Sequence, residues 1–397
     1  MSEWKKMKLG DVVSIKSGLS YKSEFIGKGD NLLLGMGCVS YKENFLDTGV
    51  RPYSQDCDPK YLAYPGDLVL ATRQQSDNLP ILAMPAIIPE KYQGKKIIIG
   101  TNLYRVENNS DIDNRFLFFV LKSHDYVNYI RGVKTGTTVQ MVSKRNVEEY
   151  HFLCPPKEIR ERIVAILSRY DSLIENYQKQ IKLLEEAAQR LYKEWFVDLR
   201  FPGHENTKIV DGVPEGWEKK KIGDIVIYYD KQRKPLSSMQ RMNMEKIYPY
   251  YGAASLMDYV DDYLFDGVYL LFGEDGTVIT PDNYPVLQYV WGKFWVNNHA
   301  HVLRGNDDIS TEFLYSMFKE MSIADVVTGA AQPKISQGRL SEKKVIMPSM
   351  ELVMIWSNAT KSYFDSIRKM TDEIRLLTET RDRLLPKLMS GEIKVEY

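Results

Sequence analysis

The chain repeats itself, so any fold it adopts has to accommodate two copies of one plan. Trp4-Lys5-Lys6-Met7-Lys8-Leu9-Gly10-Asp11-Val12-Val13 returns as Trp217-Glu218-Lys219-Lys220-Lys221-Ile222-Gly223-Asp224-Ile225-Val226, an offset of 213 residues. A second match pairs Thr135-Gly136 with Thr328-Gly329, Ser143 with Ser336 and Pro155 with Pro348, at an offset of 193. It runs on without a gap through Ile181-Lys182-Leu183-Leu184 against Ile374-Arg375-Leu376-Leu377. The copies keep their ends and diverge between them, the first being 20 residues longer, the difference between the offsets 213 and 193. With 397 residues in all, each copy can bury a core of its own.

The end of each copy carries a helical stripe. Apolar residues recur at Ile159, Ile163, Ile166, Tyr170, Leu173, Tyr177, Ile181, Leu184, Ala188, Leu191 and Trp195, a heptad seam with one four-residue stutter. The second copy follows at Leu352, Trp356, Ala359, Tyr363, Ser366, Met370, Ile374, Leu377, Arg381, Leu384 and Leu388, with the stutter at the same place. Pro155-Pro156 opens the first helix and Pro202-Gly203 follows it, while Pro386 should end or kink the second near Leu385. Neither helix can hide such a stripe alone. The pattern predicts two long helices packed on each other antiparallel, with approximate two-fold symmetry inside one chain. At 1.5 Å per residue the first would be roughly 55 Å long, which places the two globular parts at the ends of a rod.

Those globular parts, about residues 1–155 and 201–348, read as mixed α and β. Leu68–Thr72, Lys96–Ile99, Val268–Phe272 and Gln288–Val290 have strand composition between Gly and Pro turns, and Phe116–Leu121 and Thr311–Phe318 predict one short helix in each. The fold class expected is α+β, a pseudo-two-fold tandem repeat.

Reactive groups are scarce. The sequence holds no G-x-x-x-x-G-K-[ST] loop, no G-x-G-x-x-G and no G-x-S-x-G elbow. For His299-Ala300-His301, the close histidine pair of the sequence, a structural or hydrogen-bonding role is expected over a metal site. Cys154-Pro155-Pro156-Lys157 is superficially similar to an amino-methyltransferase loop but lacks the flanking residues, and reads as a strand-to-helix joint. The three cysteines, Cys38, Cys57 and Cys154, show no C-x-x-C spacing and predict reduced thiols. No apolar run approaches a membrane span or a signal peptide, so a cytoplasmic protein with no membrane partner is expected. The chain is expected not to be an enzyme, and to need no cofactor and no metal.

Two similar domains on a rod of fixed length suit the reading of two sites a set distance apart on a long ligand, and double-stranded DNA is such a ligand. A rod of about 55 Å bounds the half-site centres at about 16 base pairs or fewer. Charge supports this only locally: residues 1–155 carry 20 Lys+Arg and 17 Asp+Glu, a net +3, and residues 201–347 carry 16 and 20, a net −4. A self-sufficient DNA binder is usually more basic.

The W-x-x-x-x-[LI]-G-D start resembles the specificity subunit of type I restriction-modification systems. So do the Thr-Gly…Ser…Pro run into Glu158-Ile159-Arg160-Glu161-Arg162-Ile163, the stretch Leu191-Tyr192-Lys193-Glu194-Trp195-Phe196-Val197-Asp198, and Leu384 to Ile393 near the C-terminus. The resemblance covers essentially the whole chain. It implies two mixed α/β target recognition domains (1–155 and 201–348), each reading one half of a split DNA site. It also implies two long antiparallel coiled-coil helices (156–200 and 349–397) that set the gap and dock two modification subunits. On this reading S-adenosylmethionine, ATP and Mg belong to the modification and restriction subunits, which also share the phosphate contacts. The alternative reading of the residues is a non-catalytic coiled-coil scaffold without DNA specificity.

Base readout in the major groove calls for Arg, Lys, Asn, Gln, Ser and Thr on loops. In the first half these are Arg73, Gln74, Gln75, Ser76 and Asn78, then Lys134, Thr135, Gly136, Thr137, Thr138, Gln140 and Lys144. In the second they are Thr277, Asn298, His299, Thr328, Gly329, Gln332, Lys334 and Gln337. Because Thr135-Gly136 and Thr328-Gly329 persist in both copies, a shared backbone or phosphate role is expected of them. Arg73 and Asp275 stand at loosely matching places, where the two specificities are expected to diverge. Tyr170, Tyr177, Tyr192, Trp195, Tyr363 and Trp356 suit the helix seam or a partner surface, with the seam expected, and Phe196 lies beside it.

Overall fold

The computed structural model describes residues 4–75, 81–306, 308–329 and 332–395. It resolves into two compact units, Met1–Asn176 with Ile374–Tyr397, and Tyr177–Glu373. Each unit holds one globular half and a stretch of both long helices, Lys157–Tyr192 and Met350–Met389.

The globular half of the first unit is built on two four-stranded sheets. One has the order Val13–Ser17, Leu103–Asn108, Leu68–Ala71, Pro85–Ile87, antiparallel throughout. The other runs Val50–Tyr53, Ile26–Leu34, Ile97–Ile99, Leu62–Ala63, with its two central strands parallel. All residues of Leu68–Ala71 and Ile97–Ile99 are buried, as expected where both faces of a strand are covered. The second unit has the same two orders. Val226–Tyr228, Ala300–Gly305, Tyr269–Gly273 and Leu287–Val290 form one sheet. Leu256–Val260, Tyr248–Tyr251, Lys293–Val296 and Phe265–Asp266 form the other, again with a parallel central pair. The duplication thus extends through the middles, where the sequences had lost it. The short helices Asn114–Lys122 and Thr311–Lys319 are capped by Asp113 and Ser310, which accept from Arg115 N and Phe313 N.

The repeated motifs prove to be a clasp that closes each half on itself. Lys5–Lys8 pairs with His151–Cys154, and Glu218–Lys221 with Lys344–Met347. Leu9 N donates to Tyr150 O at 2.7 Å, and Ile222 N to Lys343 O at 2.9 Å. A Cβ on Gly10 would lie 3.0 Å from Glu148 Cβ, and one on Gly223 3.0 Å from Ser341 Cβ, so the motif's glycine lets the backbone approach the following short helix. Ser143 and Ser336 cap those helices, Lys144–Glu148 and Gln337–Glu342.

In the first unit the start of Lys157–Tyr192 shares a core with the end of Met350–Met389, through Ile163, Leu167 and Leu388. In the second unit its end meets the other helix's start, where Tyr192 lies 5.9 Å from Trp356 and 5.5 Å from Phe313, ring to ring. Phe196 joins the same cluster, 5.4 Å from Phe313. Trp195 is half-buried beside it, and Tyr170, Tyr177 and Tyr363 are half-buried along the helices.

Two details of the helices differ from the sequence pattern. The buried line passes through Leu167, Asp171 and Ile174, and through Thr360, Phe364 and Ile367. The expected residues, Ile166, Tyr170 and Leu173, and Ala359, Tyr363 and Ser366, stand one position earlier. Leu173 is exposed at 44%. An apolar template steps over Asp171 and Thr360, yet both are buried because they have partners: Asp171 Oδ1 accepts from Arg381 Nη1 at 2.7 Å, and Thr360 Oγ1 donates to Trp356 O at 3.0 Å. Pro386 likewise does not end the second helix, which continues to Met389. One turn from a terminus, the missing N–H costs a single hydrogen bond, and Ser390 N and Ile393 N bond back to Pro386 O and Lys387 O.

Candidate nucleic-acid interface

In the first unit a two-residue ladder, Arg73–Gln74 against Gln140–Met141, brings two distant segments of the candidate set together. Thr135 closes the turn by exchanging hydrogen bonds with Met141, at 2.9 and 2.8 Å. Gly136 makes that turn feasible: its φ is +90°, and a Cβ there would lie 2.2 Å from Val139 O. Gln74 is buried, and its amide accepts from Ile81 N and Leu82 N and donates to Gln140 Oε1 at 2.6 Å. Lys134 Nζ reaches the same oxygen at 3.1 Å. Gln74, Gln140 and Lys134 therefore hold the loop, while Gln75, Thr135, Gly136, Thr137 and Thr138 are exposed on it. Arg73 is half-buried with Nε unpartnered, and Lys144 begins the adjoining helix. Ser76 and Asn78 lie outside the described residues.

The second unit repeats the frame. Thr328 and Lys334 exchange hydrogen bonds at 2.8 and 2.7 Å, Gly329 has a φ of +83°, and Asp275 bridges Lys334 as Arg73 pairs Met141. His299 Nδ1 sits 2.6 Å from Asp275 Oδ1. Asn298, His299, Asp275, Thr328, Gly329, Gln332 and Lys334 are thus gathered at one edge, with Thr277 just beyond Gly276 and Gln337 opening the following helix. Asn298, His299, Thr277, Gln332, Lys334 and Gln337 are exposed.

Behind this edge lies a charged group that residue patterns do not reveal. Arg233 places Nη1 2.8 Å from Glu274 Oε2 and Nη2 3.4 Å from Asp230 Oδ2. His301, the partner residue of the His-Ala-His run, is buried with Nδ1 2.6 Å from Asp230 Oδ2 and Nε2 2.8 Å from Ile335 O. Asp230 Oδ1 also accepts from Val302 N. Asp230, Glu274 and His301 have ligand atoms close enough to hold a cation. Arg233 already counters both carboxylates, and both imidazole nitrogens face oxygen acceptors, so the donor set is spent on internal hydrogen bonds. The sequence gives no signal for Asp230 or Arg233, which come from a segment some 40–70 residues before their partners.

A family model described as the type I restriction modification DNA specificity domain matches residues 1–186 and 214–357. The chain is 25% identical over 307 residues to the specificity subunit of the type I restriction enzyme MjaIX of Methanocaldococcus jannaschii, spanning 71% of this chain and 70% of that one. To the specificity subunit of the Escherichia coli type I restriction enzyme EcoprrI it is 21% identical over 388 residues, 94% of this chain and 90% of the relative. Among solved structures, the type I restriction-modification S subunit from M. genitalium is similar with a TM-score of 0.56 and 18% identity, over 98% of this chain and 96% of that one, a likeness of fold. With the family matched over both halves, and both halves built on one frame, the chain belongs to the type I restriction-modification DNA specificity family and carries its domain twice.

Proposed function

We propose that this chain is the non-catalytic, DNA-reading subunit of a methyltransferase and restriction complex. Each globular half reads one half of a split site in double-stranded DNA. The observation that carries this reading is the loop edge found twice on one frame. The Thr-Gly turn and the short ladder recur in both halves, but Arg73, Gln140 and Met141 in one stand where Asp275, Pro333 and Lys334 stand in the other. A shared backbone with different side chains is what two readers of different base sequences need. The two long helices are proposed to set the gap between half-sites and to dock two modification subunits. Methyl transfer from S-adenosylmethionine and the ATP- and Mg-dependent steps of restriction belong on this reading to the partner subunits. Among the described residues no helix is long and apolar enough to cross a membrane.

Modified-base sequencing of DNA from a host expressing the chain with a competent modification subunit tests the proposal. The expected result is one split motif with a fixed gap, methylated on adenine. Exchanging residues 1–155 for another recognition domain should change one half of the motif only. An assembled complex without a motif, or an exchange that leaves both halves unaltered, would overturn the proposal in favour of a scaffold.

A further inference from the structure

One register position sets the two halves apart chemically. Arg73 pairs with Met141, and Asp275 with Lys334. Met141 and Lys334 are related by the repeat offset of 193. The next residues extend the match: Val142 N donates to Thr72 O at 3.4 Å, and Ile335 N to Glu274 O at 2.8 Å. Arg73 and Asp275 are therefore structural equivalents, each beside a Thr-Gly turn, and they carry opposite charge.

Their surroundings do not consume them. Arg73 Nε is buried with no hydrogen-bond partner, and among the described residues no carboxylate pairs with this guanidinium. Nε is out of a ligand's reach, so the donors that Arg73 can offer are the terminal Nη groups of its half-buried side chain. Asp275 gives Oδ1 to His299 Nδ1 and keeps Oδ2, in a side chain 23% exposed beside a His299 that is 48% exposed. The first half thus presents donors at a place where the second presents an acceptor.

We infer that this position discriminates bases in both half-sites with opposite hydrogen-bond polarity: Arg73 recognises a guanine through O6 and N7, and Asp275 the exocyclic amino group of a cytosine. The inference rests on the proposed function and extends it to base identity. A planar guanidinium fork matches the two acceptors of guanine, which no other base offers side by side in the major groove. A carboxylate accepts from cytosine N4, whereas adenine sets the N7 lone pair next to its amino group and repels it.

The test compares Arg73→Lys and Asp275→Asn with the unaltered chain, each assembled with the modification subunit, by modified-base sequencing of host DNA. Lysine keeps the charge and loses the fork; asparagine keeps the size and favours adenine. Arg73→Lys should reduce guanine selectivity about tenfold to a hundredfold at one position of one half-site. Asp275→Asn should shift one position of the other half-site from cytosine toward adenine. Motifs identical to the unaltered chain's in both variants would overturn the inference. So would a uniform loss of methylation with the base preferences unchanged, which would make the two residues structural. A variant that methylates nothing is assayed for selection from a randomised duplex pool, and loss of selection at every position alike counts against the inference. Absence of any split motif with the unaltered chain would instead strike the proposed function itself, and this assignment with it.

Discussion

The ion pair between the long helices offers the sharpest test of how the two copies are told apart. Asp171 and Arg381 meet in the first unit at 2.7 Å, with side-chain exposures of 9% and 11%. By the repeat offset of 193 their counterparts are Phe364 and Ala188, both buried in the apolar core of the second unit. One copy closes its helix contact with charge and the other with an aromatic ring beside a small residue. Replacing Asp171 with Phe leaves a buried guanidinium with only Asp382 as its acceptor among the described residues, and Lys122 nearby. Replacing Arg381 with Ala strips Asp171 of its only hydrogen-bond partner among the described residues. Breaking one side of a buried pair costs roughly 3–5 kcal/mol. The double variant Asp171→Phe/Arg381→Ala copies the other unit at similar total volume, and should lie within about 1 kcal/mol of the unaltered chain or exceed its stability. The coupling energy should therefore be several kcal/mol, far above the about 0.5 kcal/mol scatter of independent sites. Because a chain of two units need not unfold in one step, hydrogen exchange of residues 163–174 and 377–389 is followed alongside urea unfolding. Costs that add in the double variant, or single variants below about 1 kcal/mol, would refute the reasoning.

Four further outcomes are expected. Gly136→Ala and Gly329→Ala would each place a Cβ within 2.2 and 2.4 Å of a carbonyl oxygen at a φ near +90° and +83°. A local cost of about 2–3 kcal/mol follows. The methylated motif should degrade in one half only for each variant, and unchanged motifs in both would show that the turn is dispensable. Gly10→Ala, crowding Glu148, should destabilise the clasp by about 1–3 kcal/mol, read as a lower melting temperature with the recognised bases unchanged. Burial, then the neighbouring Arg381, lowers the Lys122 ammonium from 10.5 to about 8. The unfolded chain then binds more protons between pH 8 and 10.5, so this group's penalty is full below pH 8 and fades as pH rises through that window. Lys122→Met should stabilise by about 1–3 kcal/mol at pH 7, less near pH 10; an equal gain at both would contradict it. Finally, Arg233→Ala should cost about 3–5 kcal/mol and leave Asp230, Glu274 and His301 open to a cation, so Mn²⁺ or Zn²⁺ should raise the variant's melting temperature and not the parent's.

What the sequence disclosed follows from where the backbone leaves no freedom. Gly10 and Gly223 sit against a helix, Ser143 and Ser336 fill caps, and Gly136 and Gly329 adopt a left-handed turn. Each is dictated by local geometry, so each survives in both copies and marks the ends of the repeat. The sheet middles are dictated only by burial and alternation, which many side chains satisfy, and their shared strand order appears only in three dimensions. The helix stripe was legible in period, and in register at Ile163, Ala188, Trp356 and Leu388, but between these it stood one position early over 166–173 and 359–366. A buried Asp171 is invisible to a pattern that counts apolar residues, and its partner Arg381 lies 210 residues away.

The candidate loops were legible as loops, and the duplication makes them more informative than a single copy would be. Polar residues near a Thr-Gly turn include some that build the turn and some that the turn displays, and composition cannot separate these. Comparing the copies at matched register does. Gln74 and Gln140 have no glutamine counterparts, because Gly276 occupies the place of Gln74 and Pro333 that of Gln140, yet the turn closes identically in both units. The glutamine network is thus one of two solutions for supporting the same backbone, the other being the Asp230, Arg233, Glu274 and His301 group. Supporting residues changed type while preserving a shape. Arg73 and Asp275 changed the sign of what that shape offers to a ligand. On the proposed function, by which the two halves hold like partners and read different bases, selection for specificity acts on the second kind of difference. Exposed residues that differ in hydrogen-bond polarity at equal register are accordingly the ones to substitute first.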